Sequence, residues 1–164
     1  MNESLELLTR AVLIGIGGSA FMDLWGLLLR RFFGIQGLDY ALLGRWIGHI
    51  PQGRLVHRPI SATQPVPGER PLGWLAHYSI GVVFAVVLLG IWGLDWAAAP
   101  TPGPALVVGL TTIIAPWFVM QPCMGAGVAG SRTPRPSSTR LRNLMTHTVY
   151  GLGTYATALL IANL

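Results

Sequence analysis

The side chains of this sequence best equipped for chemistry lie inside or at the ends of apolar runs. Asp23 interrupts AVLIGIGGSAFMDLWGLLL, and His77 stands near the start of PLGWLAHYSIGVVFAVVLLGIWGL. His147 takes the matching place in a later run, so that His77-x-x-x-Gly81 recurs as His147-x-x-x-Gly151. Gln121 closes another run together with the soft donors Met120, Cys123 and Met124. An ionisable group within an apolar span costs a few kcal/mol unless it is paired or hydrated, so such groups usually turn inward and often serve function. Three uses fit these residue types. Asp23 could pair with the histidines as a polar clamp between helices. The acid and the imidazoles could form a proton or ion site, because histidine changes charge near neutral pH and a buried acid can share its proton. His77 and His147 could hold a haem b iron from both sides, or Met120, Cys123 and Met124 could join them around copper(I).

The elements that must position these groups follow from composition. Hydrophobic residues make up 52% of the chain and charged residues 10%, well below the quarter or so usual in soluble domains. Four apolar stretches, at about 11–29, 72–94, 105–124 and 143–163, each have the length that spans a hydrocarbon core of roughly 30 Å at 1.5 Å per residue. Backbone in lipid must satisfy its own hydrogen bonds, which predicts helices. The expected fold is therefore all-α: a single four-span membrane domain over residues 1–164, arranged as a four-helix bundle. In the first span Gly15, Ser19, Asp23 and Gly26 share one ridge, where small residues let helices approach closely.

The connections carry further signals. In LDYALLGRWIGHI the apolar positions recur at helical spacing and leave Arg45 and His49 on another side, which predicts an amphipathic helix at about 38–50 on the cytoplasmic surface. Residues 51–71 hold five prolines and no periodicity, so this stretch is expected to be irregular, with His57 a solvated loop residue. Trp96, in the loop after the second span, reads as an interface anchor. Pro116 is expected to kink the third span and free the carbonyl of Thr112. The two histidine-glycine motifs could mark an internal duplication relating parallel halves.

Eleven arginines, no lysine and six acids give a formal charge of +5. Arg10 precedes the first span, and the other ten arginines flank spans or lie in loops that a four-span path collects on the opposite face. Basic flanks stay in the cytoplasm, so both termini are expected to face outward from a bacterial inner membrane, with the lipid bilayer as partner and no nucleic acid. The first span reads as a retained helix and not a cleaved signal, given Glu3 and Glu6 before it and Asp23 within it. Counting 1.5 Å per residue from the flanking arginines puts Asp23 and His77 about 10 Å deep and His147 about 7 Å deep, with Gln121 at a similar level. Glu69 and Arg70 fall at the cytoplasmic mouth of that layer, where they could pair with each other. One cysteine excludes an internal disulfide. Phosphate-binding loops, nucleotide glycine patterns and His-Glu-x-x-His are missing, so the expectation is a non-enzymatic role. Four short helices are few for a complete transporter, so an ion-linked role would call for a homo-oligomer or a membrane-protein partner.

Several short motifs carry a resemblance: Met22-Asp23-Leu24-Trp25, Gly44-Arg45-Trp46-Ile47-Gly48-His49, Pro67-Gly68-Glu69-Arg70, Gly73-Trp74-Leu75-Ala76-His77-Tyr78, Met120-Gln121-Pro122 and Gly125-Ala126-Gly127. On these the chain resembles an uncharacterised bacterial family of short inner-membrane proteins known only as a domain of unknown function. The resemblance covers nearly the whole chain. It implies a four-span membrane protein and carries no catalytic residue across.

Overall fold

The computed structural model describes residues 2–163, and the expected domain reaches one residue further at each end. The described residues are all-α, with no strand among them. Helix α1 (Glu3–Phe33) begins where the Asn2 side chain accepts the amide of Ser4, with Glu3 and Glu6 in the first turn. It ends at Gly34 in the left-handed region, whose amide bonds the carbonyl of Arg30. Acids at the start and Arg30 and Arg31 at the end suit the helix dipole, and a left-handed glycine is the usual stop. There follow α2 (Tyr40–His49), α3 (Glu69–Ala98), α4 (Pro102–Thr111), a single turn α5 (Gln121–Cys123) and α6 (Pro136–Ala162).

Three helical stretches are long and apolar enough to cross a membrane: Glu3–Phe33, Glu69–Ala98 and Pro102–Cys123. The second is interrupted at Gly93, whose backbone is left-handed. Pro116 breaks the third as anticipated. Residues 112–113 leave the α pattern, and Pro116–Met120 forms a wide π turn in which the amide of Gln121 bonds the carbonyl of Pro116. The fourth expected span, 143–163, overlaps α6, a helix of 27 residues that is not among these three. Its first half carries Arg140, Arg142, Asn143, Thr146, His147 and Thr148, which leaves it more polar than the other three.

The chain divides into two compact units that interleave in sequence. The first comprises the described residues up to 36, 78–112 and those from 145 on. Its core is built from Ala11, Ile14, Leu88, Leu89, Ala105, Val108 and Ala158, with Trp96 and Ala97 among them. The interface role expected of Trp96 is thus not what its surroundings show. It is 6% exposed, with its indole N–H donated to the carbonyl of Thr101. The break at Gly93 turns the end of α3 back onto the core.

Glycines set the helix spacing in this unit. A Cβ on Gly15 of α1 would fall 2.5 Å from the Cα of Val82 in α3, and one on Gly109 of α4 would fall 2.7 Å from the Cα of Gly151 in α6. Of the ridge anticipated in α1, Gly15 and Ser19 are buried, whereas Gly26 has nothing within 4 Å of where its Cβ would be.

The second unit comprises residues 37–77 and 113–144. The amphipathic helix exists here as α2, bounded more tightly than 38–50 and capped by Asp39, which accepts the amide of Ala41. Its buried residues are Leu43, Gly44 and His49, and Gly44 and Gly73 bring its backbone directly against the first turns of α3. The irregular stretch after it is held in place: the amides of His57 and Ile60 bond the carbonyls of Cys123 and Met124 at 2.7 and 3.0 Å.

Gly15→Val is expected to destabilise the protein by about 1–3 kcal/mol, since the crossing has no room for a side chain. Gly26→Ala is expected to leave stability within about 0.5 kcal/mol or raise it. Thermal unfolding of both variants in detergent checks the contrast.

Candidate functional site

In the first unit each ionisable side chain singled out from the sequence meets a hydroxyl on another helix. The Tyr78 hydroxyl, from α3, donates to Asp23 Oδ2 in α1 at 2.9 Å. In the other pair of helices, Thr112 Oγ1 lies 2.8 Å from His147 Nδ1 and donates its hydrogen to the carbonyl of Gly109 at 2.6 Å. With that hydrogen committed, the hydroxyl oxygen accepts from the imidazole, which fixes the tautomer protonated on Nδ1. A third interhelical bond runs from the Tyr150 hydroxyl to the carbonyl of Gly81 at 2.7 Å. The buried hydroxyl of Ser19, packed at Gly81, has no hydrogen-bond partner among the described residues.

In the second unit His77 Nε2 lies 3.2 Å from the Tyr40 hydroxyl, and the two rings stack with centroids 4.3 Å apart. Trp74 flanks both. Gln121 is buried and donates to Asn143 Oδ1 at 3.4 Å, while its own Oε1 is unpartnered. Met124 is buried, and Met120 and Cys123 are partly so. Among the described residues no three His, Cys, Asp or Glu side chains converge as around a metal ion. His77 and His147, the two ligands of the haem reading, belong to different units, and each has a bonding partner within its own.

Glu69 pairs with Arg45 and not with its neighbour Arg70. Both carboxylate oxygens meet the Arg45 guanidinium at 2.8 Å, and Oε2 also accepts the amide of Val66 at 3.0 Å. Arg45 in addition donates to the carbonyls of Ser61 and Thr63. Residue 70 was the nearer candidate in sequence, but it is exposed, whereas one turn and more of α2 carries Arg45 against the start of α3. The Arg45 guanidinium, helped by the Val66 amide, holds the Glu69 carboxyl down to about 2, and Glu69 in turn raises the pKa of Arg45.

His49 and His57 also depart from expectation. His49, read as part of the polar side of α2, is 4% exposed, and His57, read as solvated, is 7% exposed. Their rings lie 5.3 Å apart. His57 Nε2 meets the carbonyl of Arg54 at 3.1 Å and Nδ1 the Thr63 hydroxyl at 3.1 Å, while His49 Nε2 meets the carbonyl of Gln64 at 3.0 Å. These imidazoles tie the irregular chain to α2 where no regular backbone ladder exists. The hydrogen-bonding side chains of Tyr78, Thr112, Tyr40 and Asn143 were not candidates from sequence, where Thr112 figured only through its carbonyl. The usable signals were a tyrosine inside an apolar span and a threonine one turn before Pro116.

The profile of a family described as "Protein of unknown function (DUF2938)" matches residues 12–161. No curated protein and no solved structure matches the chain.

The stability contributed by the Glu69 carboxylate is fully present above its ordinary pKa of 4.5 and is lost as pH falls through about 2. Arg45→Met is expected to cost about 1–3 kcal/mol at neutral pH and to remove this acid dependence. Hydrogen exchange at residues 61–69 between pH 5 and pH 2, in wild type and variant, measures both effects.

Proposed function

Because the chain belongs to the family described as a protein of unknown function (DUF2938), its role rests on its own residues, and we propose that it is a non-enzymatic multi-pass protein of the bacterial inner membrane. In this reading four helices cross the bilayer, α6 among them, and Asp23 and His147 clamp helices together inside it. The observation that carries the reading is the cross-helix pairing of each group with a hydroxyl, Tyr78 to Asp23 at 2.9 Å and Thr112 with His147 at 2.8 Å. Such bonds hold membrane helices in register because the alternative is a polar group facing hydrocarbon. Helices exposing Leu13, Ile16, Leu24, Val83, Val87, Ile91, Val107 and Ile114 to their surroundings suit lipid contact. The arginine distribution favours termini on the outer face. A scaffold of this kind serves as an assembly component, with itself or with a membrane protein.

A proton- or ion-linked role is the second reading. It is favoured by the placement of an acid and an imidazole, Asp23 and His147, against hydroxyls within long apolar helices.

Asn retains an oxygen that accepts from Tyr78, whereas Leu does not. In the clamp reading Asp23→Asn stays within about 1 kcal/mol of wild type and Asp23→Leu loses about 1–3 kcal/mol. Proteoliposome flux present in wild type and abolished by a well-folded Asp23→Asn would transfer the assignment to the ion-linked reading. Topology has its own test in a Cys123→Ser background. Cysteine at Ser4 is expected to react with an impermeant maleimide in spheroplasts, and cysteine at Ser131 only after lysis.

A further inference from the structure

Between α2 and the cis Arg58–Pro59 bond the chain forms a short basic loop with an apolar tip, Gly53-Arg54-Leu55-Val56-His57-Arg58. Its outward residues include Leu55 and Val56, 52% and 61% exposed, set between the exposed Arg54 and Arg58. The loop is also pinned. The Trp46 indole donates to the carbonyl of Leu55 at 2.9 Å, the buried His57 ring holds the carbonyl of Arg54, and the His57 amide bonds Cys123. The apolar tip is therefore held outward by the fold. Beside it lies an open hollow of about 590 Å³ lined by the same loop and Thr63.

Charge identifies the occupant. In this unit Arg70, Arg132, Arg135, Arg140 and Arg142 are also exposed, whereas its carboxylates are Asp39 and the Arg45-bound Glu69. The sequence has no lysine, so every permanently cationic side chain is arginine. A guanidinium meets a phosphate through two parallel hydrogen bonds, which an ammonium cannot do. Aliphatic tips flanked by such forks match the headgroup layer, where apolar side chains enter the acyl boundary and cations meet lipid phosphates.

We propose that the loop 53–58 and its hollow form a binding site for an anionic phospholipid, with Arg54 and Arg58 on the phosphate and Leu55 and Val56 against the acyl chains. The proposal rests on the membrane reading above.

The test uses the full chain in detergent, titrated with dihexanoyl phosphatidylglycerol, dihexanoyl phosphatidylcholine and glycerol 3-phosphate while binding is followed calorimetrically. Wild type is expected to bind the phosphatidylglycerol at least tenfold more tightly than either of the others. Arg54→Gln with Arg58→Gln is expected to lose tenfold or more of that affinity, and Leu55→Ser with Val56→Ser about threefold. All four side chains are exposed, so these variants keep their fold. Equal affinity for phosphatidylcholine, equal affinity for glycerol 3-phosphate, or an unchanged double-arginine variant would each overturn the proposal. Alkaline carbonate extraction separates the two levels. Release of wild type from membranes ends the membrane reading and this site with it, whereas retention without lipid preference ends the site alone.

Discussion

Backbone-to-backbone contact at two glycine crossings is the constraint from which the first unit takes its form. Where Gly15 of α1 meets Val82 of α3, and Gly109 of α4 meets Gly151 of α6, no side chain separates the helices. Helices that approach so closely bring even short side chains on neighbouring turns within reach of each other. The polar bonds appear there. Tyr78 lies one turn before Gly81 and reaches Asp23, and His147 lies one turn before Gly151 and is reached by Thr112. Threonine is short, and at an ordinary helix separation it would not span the gap to an imidazole on the facing helix.

The same contact explains why a histidine-glycine motif recurs. In both helices the glycine is the contact point, and the residues one turn ahead of it are where a cross-helix bond can form. The occupants then differ. In α6 His147 itself makes the bond, whereas in α3 the neighbouring Tyr78 makes it and His77 stacks on Tyr40. Helix periodicity and close packing thus suffice to produce the pattern. Pro116 adds to the second pair. It removes an amide donor from the helix after Thr112, and the wide turn that follows ends the α ladder within a turn of the Thr112 hydroxyl.

Much of the helical framework was legible because it depends on local signals. Long apolar runs, the ridge at Gly15 and Ser19, Asp39 ahead of α2 and Pro116 within the third run each act over a few residues. What was not legible depends on partners distant in sequence. The burial of Trp96 follows from the left-handed turn at Gly93, which apolarity on either side conceals. His57 looked solvated because its surroundings are rich in proline, yet Thr63, the Arg54 carbonyl and the Cys123 carbonyl enclose it. Arg45, not Arg70, meets Glu69 because Gly44 and Gly73 let α2 lie against α3, a contact no single window of sequence displays. For the candidate site, the acid and imidazoles could be named from residue type and depth, but their hydroxyl partners could not. Serine, threonine and tyrosine are ordinary within membrane helices, and only the crossing geometry selects one.

The ion pair at Arg45 and the hydroxyl bonds at Asp23 and His147 order the chain in different ways. In the second unit Glu69 meets a guanidinium that also caps the carbonyls of Ser61 and Thr63, so one ion pair organises a stretch that lacks regular structure. Two charges brought together in a partly exposed site keep much of their attraction and contribute to local order. In the first unit Tyr78 and Thr112 bring hydroxyls to Asp23 and His147, which joins one helix to another rather than ordering a loop. Each such contact fixes the rotation of one helix against its neighbour, in the register for which the glycine crossings leave room.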